Sequence, residues 1–225
     1  MAVTGTEIAT EARARLAAPA GVRWTDPEVL AAINEGQTQA VVLQPQANPV
    51  TTKAVMATSD TRQTFASLGI TDGIQFIRAL RNWSADGTTV GRAVTKAPLS
   101  ALETHNPLMH SETGTEVEHY DTSPFEPGVL YIYPKVATNK RLEVVYSARP
   151  TPLASLASNI GIGDHYKPAL VLYVMYYLLS KRVQGAQGSN AQAAAYYQQF
   201  AQLLGAQGQV QAATDQAMTA KGAEG

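Results

Sequence analysis

The stretch TDPEVLAAINEGQTQAVVLQP, residues 25–45, combines a strong helix start with a weak helix centre. Asp26 can act as an N-cap, and Pro27 suits the first helical position because proline presets φ and lacks an N–H. Apolar residues then recur at helical spacing. Pro45 ends the pattern. The stretch therefore predicts one amphipathic helix.

Asn34, Glu35 and Gly36 occupy the middle of this helix, where good helix formers are expected. A glycine there costs about 1 kcal/mol relative to alanine. Where the helix passes close to an aromatic C-terminal helix or to a neighbouring subunit, Gly36 would remove a side chain at the crossing. Asn34 and Glu35 would then hydrogen bond across the contact. We predict an assembly contact here, with a plain exposed Asn–Glu pair as the alternative.

The chain divides into helical ends and a β-rich middle, which predicts an α+β fold. Residues 1–48 begin with a Thr4–Glu7 capping box and read as helices. Residues 49–150 carry short β-rich runs between turn residues, and residues 151–205 read as helices again. Residues 206–225 are rich in Gln, Ala and Gly, which predicts a flexible tail or a helix that forms on contact.

Alternating and β-branched residues define the strands of the middle segment. Asp86-Gly87 favours a hairpin turn. Ten basic and ten acidic residues in this segment predict no one-signed surface overall. Because only a polar loop separates the last two strands, we predict that they pair antiparallel. The predicted strands are Val50–Thr58, Ile74–Trp83, Val129–Tyr133 and Leu142–Ser147.

Tyrosines line the predicted C-terminal helices. Tyr173, Tyr176 and Tyr177 fall at i, i+3 and i+4 on a helix that is apolar on all sides, and Tyr196 lies on the next helix. A helix apolar all round must be surrounded by protein. The tyrosines therefore form either a core with hydroxyls at its rim or an interface stripe, where tyrosine is enriched.

No Asp, Glu, Lys, Arg or His lies between Arg182 and Asp215. Gln199 and Gln202 belong to this uncharged region. Charged side chains normally keep a solvated helix soluble, whereas an uncharged Gln/Ala face suits packing against copies of the same chain. We predict an assembly surface, with an ordinary Ala-rich surface helix as the alternative.

The composition limits the class of protein. Of the 225 residues, 45% are hydrophobic and 16% charged, and the net charge of −1 gives no long-range attraction for nucleic acid or anionic membranes. No cysteine is present, so thiolate catalysis and cysteine zinc sites are excluded. The N-terminus lacks the apolar core of a signal peptide. The longest apolar run is far shorter than the 20 or so residues of a bilayer span, so we predict no membrane contact.

The sequence offers no motif for catalysis or for cofactor binding. It lacks the P-loop, the dinucleotide-binding fingerprint, the nucleophile elbow and the H-E-x-x-H zinc motif. We predict no cofactor and no metal site, because the spacing of the histidines and nearby glutamates matches no common ligand pattern. These residues are His105, His110, His119, Glu103, Glu112 and Glu118.

A carboxylate site is the remaining route to catalysis. Glu116, Glu118 and Asp121 would have to converge, but Glu116-Val117-Glu118 alternates like the solvent side of a strand. We predict no catalytic residue. A hydrolase or lyase that acts on cell-wall or capsule polymers is the enzyme alternative.

Six stretches, in this order and spacing, resemble the head-to-tail adaptor (connector) proteins of tailed bacteriophages, the group of tail-tubular-A-like and podoviral adaptors. The most similar are the Arg-Trp…Ile-Asn-Glu-Gly helix and the Tyr-Pro…Val-Tyr-Ser strand pair. The six stretches are RWTDPEVLAAINEGQTQAVVLQP, DGIQFIRALRN, GRAVTKAPL, VLYIYPKV, RLEVVYSARPTPL and DHYKPALVLYVMYYLLSKR.

The resemblance implies a helical bundle formed from both chain ends, with an antiparallel β-rich domain inserted between them. It also implies a structural, non-enzymatic virion protein that is made in the host bacterial cytoplasm and forms a ring, dodecameric in most such families. This ring would lie at the head–tail junction, between the portal protein and a tail tube, nozzle or other tail protein.

Genomic DNA would pass through the ring without specific binding. C-terminal segments of similar proteins reach toward the portal, which makes Gln209, Val210 and Met218 candidate portal-docking residues. A different tail or neck completion protein with the same layout is the alternative.

Overall fold

The structure is a computed structural model that describes residues 2–18, 23–181 and 190–205. The chain divides into two units, one drawn from Met1–Asn48 and Pro150–Gly225 and the other from Pro49–Arg149. Five α-helices occur within the described residues. They are α1 (Gly5–Arg15), α2 (Asp26–Leu43), α3 (Leu99–His105), α4 (Lys167–Ser180) and α5 (190–205).

The described residues also contain ten β-strands, all of them in the second unit. They are β1 (Pro49–Val55), β2 (Arg62–Thr64), β3 (Gly73–Trp83), β4 (Val90–Ala93), β5 (Thr95–Lys96), β6 (Thr113–Gly114), β7 (His119–Thr122), β8 (Val129–Tyr133), β9 (Lys135–Val136) and β10 (Arg141–Ala148).

Helix α2 begins one residue earlier than the sequence predicts. Thr25, not Asp26, is the N-cap residue, and Asp26 opens the helix. The carboxylate of Glu28 explains the shift, because its Oε2 accepts a hydrogen bond from the Thr25 backbone N at 2.9 Å. This half of a capping box satisfies a backbone donor that the helix itself leaves free.

In the first unit, α4 packs against both α1 and α2. Leu170, Val174 and Leu178 of α4 are completely buried, as are Ile8 of α1 and Ile33 of α2. Burial of apolar side chains contributes about 1.5–3 kcal/mol each, so this core accounts for the position of a helix that is apolar on every side. No helix within the described ranges is long and apolar enough to cross a membrane.

The second unit contains two four-stranded sheets and one strand pair. The first sheet has the order β1-β10-β3-β4 and is antiparallel throughout. The second has the order β2-β8-β7-β5, in which β5 and β7 run parallel. Strands β6 and β9 also pair in parallel. Both sheets contribute to one buried cluster, which includes Phe76, Leu142 and Val144 from the first and Leu130 and Ile132 from the second.

The predicted fold class, a helical bundle from both chain ends with an inserted antiparallel domain, is wrong. The chain is a mixed α/β protein with several sheets, and two of its strand pairs are parallel rather than antiparallel. The first unit is also only partly helical, because residues 150–163 run without an α-helix. Pro150 and Pro152 disfavour a helix there. This segment instead pairs its backbone with that of residues 3–6, as in the 2.9 Å bond from Ile160 N to Val3 O.

The predicted pairing of Val129–Tyr133 with Leu142–Ser147 is also wrong. Strand β8 lies between β2 and β7, whereas β10 lies between β1 and β3 in the other sheet. Alternation indicates which residues of a strand face the core, but it does not identify the neighbouring strand. The chain between these two strands forms β9 rather than a tight turn, so it carries β10 into the other sheet.

Candidate assembly interface

Asn34, at the centre of α2, holds the backbone of the proline-containing segment. Its Oδ1 accepts a hydrogen bond from Leu153 N at 2.7 Å, and its Nδ2 donates to Leu153 O at 3.2 Å. One turn later, the completely buried Gln37 accepts a hydrogen bond from Gly161 N at 2.6 Å through Oε1. Two amide side chains therefore satisfy backbone groups that no helix or sheet pairs.

Gly36 lies on the side of α2 that faces α4. A Cβ built on this glycine would lie 2.8 Å from Cδ1 and 3.2 Å from Cγ of Tyr173, and 3.4 Å from Cδ2 of Leu170. Real Cβ atoms essentially never approach other atoms as closely as the first of these distances. The weak helix centre is therefore a site of close helix packing within one chain.

Glu35, the residue before Gly36, is exposed. Its only hydrogen bond within the described part of the chain comes from Gln39, whose Nε2 donates to Glu35 Oε1 at 3.1 Å. Of the three central residues, Asn34 and Gly36 are thus engaged inside the subunit. Glu35 remains available at the surface.

Tyr173 is the centre of an aromatic cluster that joins α4 to α5. Its ring centroid lies 5.5 Å from that of Tyr176, 6.5 Å from that of Tyr177 and 5.1 Å from that of Phe200. Tyr197 closes the cluster, 5.0 Å from Tyr176 and 5.9 Å from Phe200. Edge-on and tilted pairs of this kind contribute about 0.5–1.5 kcal/mol beyond the area that they bury.

The tyrosines of this cluster differ in exposure. Tyr173 is 5% exposed, and burial raises the pKa of its hydroxyl, with a further contribution from the negative charge of Glu35. Tyr176 and Tyr177 are only half-buried, so their rings pack inward while one edge reaches solvent. Tyr176 and Tyr177 therefore lie at the rim of the core, and their outer edges remain open to a partner.

The exposed face of α5 carries no charge. Gln199 and Gln202 are exposed, Tyr196 is half-buried, and residues 190–205 include no acid and no base. The same helix contributes Phe200 and Leu204 to the interior, where both are almost completely buried. One side of α5 is therefore fixed in the subunit, and the other presents amides and methyl groups to solvent.

The candidate portal-docking residues Gln209, Val210 and Met218 lie outside the described residues. Among the residues that the structure does describe, it brings Asn34, Gly36 and the tyrosines of α4 and α5 into one region of the first unit.

Two of the histidines considered as metal ligands, His110 and His119, are engaged in separate contacts. His110 lies between Thr61 Oγ1, 2.8 Å from Nδ1, and Glu103 Oε1, 3.4 Å from Nε2. His119 contacts Thr95 Oγ1 through Nδ1 at 2.7 Å and stacks on another ring. In the described ranges, no three His, Cys, Asp or Glu side chains are grouped so that they could hold a metal ion.

Glu116 and Glu118 share a polar cavity of about 300 Å³ with Glu112 and Arg92. Arg92 pairs with Glu118 at 3.0 Å. Asp121 does not line this cavity. Its Oδ2 instead accepts a hydrogen bond from Leu99 N at the start of α3, at 2.8 Å. The three carboxylates therefore do not converge as an acid–base site requires.

A braced turn in the second unit presents an apolar side chain that the sequence interpretation missed. Phe125 is 93% exposed. The next residue, Glu126, is fixed on both sides, because it pairs with Arg62 at 2.8 Å and accepts a hydrogen bond from Tyr131 OH at 2.7 Å. The bond from Arg62 lowers the pKa of Glu126, with a further contribution from Tyr131. The indication in the sequence was a phenylalanine inside the turn Ser-Pro-Phe-Glu-Pro-Gly.

Comparison with protein families gives a match over nearly the whole chain. A family model described as SU10 adaptor protein matches residues 3–222. A search of curated proteins found no match.

Proposed function

The chain belongs to the SU10 adaptor protein family, and we propose that it is a head-to-tail adaptor that forms a ring between the portal and the tail. Membership makes it a structural adaptor protein of a bacteriophage and a component of the virion. The family is a structural family rather than an enzyme family. It associates with other head or tail proteins of the phage. The ring, its position and its individual partners are the proposal.

The uncharged outer face of α5 carries the proposal of a ring. Gln199 and Gln202 offer donors and acceptors that a neighbouring subunit can pair without burying a charge. The desolvation of charged side chains at an interface costs several kcal/mol per ion. A face without charges avoids this cost, so it suits repeated contact between copies of one chain.

The packing beneath this face supports the same proposal. Phe200 and Tyr197 of α5 contact the α4 tyrosines, and Gly36 lets α2 approach α4 closely. A ring needs two different complementary patches on each subunit, because head-to-tail contacts close only if each copy meets the next at a fixed angle. The aromatic contacts between α5 and α4 fix the α5 face on the subunit, as such an angle requires.

The partners follow from the position of the ring. The portal protein would be met by the C-terminal segment with Gln209, Val210 and Met218, and a tail protein by the braced turn with Phe125. Twelve copies would form the ring, as the resemblance implies, and the genome would pass through its lumen without specific base contacts. The protein would then lie at the head–tail junction after synthesis in the host cytoplasm.

Mass photometry of the full chain, alone and with portal protein, tests the proposal. We expect rings for the native chain, and loss of rings for the double variant Gln199→Glu/Gln202→Glu, since each contact would then bury two carboxylates. The control is Thr10→Glu/Ala14→Glu on the exposed side of α1, which already carries charges. A strictly monomeric native chain under assembly conditions contradicts the proposal. Binding to a tail protein but not to portal would favour another neck or tail component.

A further inference from the structure

The register of the sheet β1-β10-β3-β4 places basic side chains on its outer face. On the inner face, Leu142 lies opposite Asn82 and Ala54, and Val144 lies opposite Ala79. Successive side chains of a strand point to opposite faces, so the neighbouring positions must point outward. Those positions are Lys53 on β1, Glu143 and Arg141 on β10, and Arg78, Arg81 and Trp83 on β3.

This face concentrates charge that is balanced in the unit as a whole. It carries four of the ten basic residues between positions 49 and 149 but only one of the ten acidic residues, Glu143. Lys53, Arg78 and Arg81 are exposed, and Arg141 is half-exposed. The rest of the unit is correspondingly acidic. The outer face is therefore the basic side of this unit.

The single acid of the face is neutralised where it lies. Glu143 Oε2 pairs with Arg81 Nε at 3.1 Å and accepts a hydrogen bond from Trp83 Nε1 at 2.8 Å. No ion pair with another described residue engages Arg78. Three positive charges thus remain without a carboxylate partner on the face.

Neutral groups hold two of these three cations in place. Lys53 Nζ donates to Gly87 O at 3.0 Å and lies 3.4 Å from the centroid of the Trp83 ring. Arg141 Nε donates to Ala85 O at 2.8 Å. Carbonyl oxygens and an aromatic ring orient a cation without cancelling its charge. Asp86 lies in the same hairpin turn, and its carboxylate is bonded to Ser84 and Thr88.

We propose that the outer face of β1-β10-β3 binds the phosphate backbone of duplex DNA as the genome passes the ring, a proposal that rests on the adaptor function. A polyanion is the complement of three uncompensated cations, two of which neutral groups hold in place. Few phosphates are engaged by each chain, so the contact of a single subunit is weak. A ring repeats the contact around the DNA, and the repeated weak contacts add without stopping the movement of the genome.

A phosphate surface predicts a specific salt dependence. Each phosphate that a protein neutralises adds about 0.9 to the slope of log K against log salt concentration. Removal of three contacts per chain should reduce the slope by about 2–3 for each subunit that contacts the duplex, and should weaken binding at least tenfold at low salt. Base sequence should make no difference, because backbone contacts carry no sequence information.

The experiment measures fluorescence anisotropy of a labelled 30-base-pair duplex with the assembled full chain over a series of salt concentrations. The test variant is Lys53→Gln/Arg78→Gln/Arg141→Gln, which spares the Arg81–Glu143 pair. The matched control is Arg92→Gln/Lys96→Gln/Lys135→Gln, which removes the same charge elsewhere in the unit. A second variant, Lys53→Arg/Arg78→Lys/Arg141→Lys, keeps the charge and should keep DNA binding even where the hairpin contacts change.

The outcomes separate this inference from the adaptor proposal. Loss of DNA binding in the first variant alone, with rings intact by mass photometry, supports the phosphate surface. Equal losses in the test and control variants, or native binding in the test variant, overturn it while the ring stands. Unchanged DNA binding with lost portal or tail attachment would assign the face to an acidic protein partner and overturn it too. A native chain that forms no ring contradicts the adaptor proposal itself.

Discussion

The ring of Tyr173 occupies the space where a side chain at position 36 would lie, with Cδ1 2.8 Å from the Cβ that Gly36 lacks. This contact explains why α2 keeps a glycine at its centre. The cost of about 1 kcal/mol in helix propensity is offset by the close packing of α2 against α4. The packing of the first unit therefore depends on the absence of one methyl group.

Gly36→Leu should destabilise the protein by about 1–3 kcal/mol or more and should impair ring formation, because the added side chain displaces Tyr173 from its cluster. Urea unfolding of the purified chain measures the first effect and mass photometry the second. Ala31→Leu, at an exposed position of the same helix, is the control and should change neither. Normal stability and assembly of Gly36→Leu would contradict the packing interpretation.

Gln37→Leu should cost about 1–3 kcal/mol, because the N–H of Gly161 loses the acceptor that the buried Gln37 side chain provides. Asn34→Leu should cost a similar amount through Leu153 N. Hydrogen exchange should speed up at the amides of residues 153 and 161 in the respective variants. The partly exposed Gln39, which bonds only to Glu35 among the described residues, is the control, and Gln39→Leu should leave both amides unchanged.

Stability should fall at alkaline pH as Tyr146 ionises. Burial, and then the hydrogen bond that its hydroxyl donates to Asp72, raise the pKa of Tyr146 from 10.0 to about 12. Because the folded state favours the neutral phenol, this contribution is fully present below pH 10 and is lost as the pH rises from 10 to about 12. Urea unfolding across this range should show the loss. Tyr146→Phe should make the loss smaller but should not abolish it, because the pKa of Tyr173 is also raised, and an unchanged profile would contradict the assignment.

Phe125→Ser should leave the unfolding free energy within about 0.5 kcal/mol of the native value, because an exposed side chain contributes little to folding. The same change should weaken attachment to the tail-side partner by about 10–100-fold if Phe125 is the anchor of that contact. Binding measured by biolayer interferometry with purified tail protein gives the second value. Val90→Ser removes another exposed apolar side chain and should have no such effect.

Truncation after Gly205 should leave the fold intact and weaken attachment to portal. The aromatic contacts that fix α5 involve Tyr197 and Phe200, both of which the shortened chain retains. Circular dichroism and thermal unfolding check the fold, and co-sedimentation with portal rings checks attachment. A truncated chain that fails to fold, or that attaches normally, would refute the docking role of residues 206–225.

Local chemistry made parts of this structure predictable. Asp26 and Pro27 predicted the start of α2 to within one residue, and the family follows from the order of several short stretches. The partner of Gly36 was only broadly foreseeable, since an aromatic C-terminal helix was expected while its contact residue depends on how the helices cross. Asn34 was expected to bond across a contact, but its partner is a loop of its own subunit, far along the chain.

Sheet neighbours and faces were the least predictable features. Arg78 and Arg81 are three residues apart, so plain alternation would put them on opposite faces. Register shifts in β3 bring both to the outer face, opposite Val145 and Glu143. Charge balance in the sequence therefore concealed a one-sided distribution. The exposure of Phe125 could not be predicted for a related reason. Composition does not show which apolar residue of a turn faces solvent.

The two ends of the β-rich unit meet in one strand pair. Pro49, the first residue of β1, lies opposite Ser147 near the end of β10, and paired antiparallel residues have Cα atoms about 4.5–5.5 Å apart. A short hairpin linker can span that distance. The unit can therefore be removed or exchanged as a whole. We expect that residues 49–149 can be excised and the gap closed by a few residues. We also expect that a foreign domain with adjacent termini can be inserted in its place.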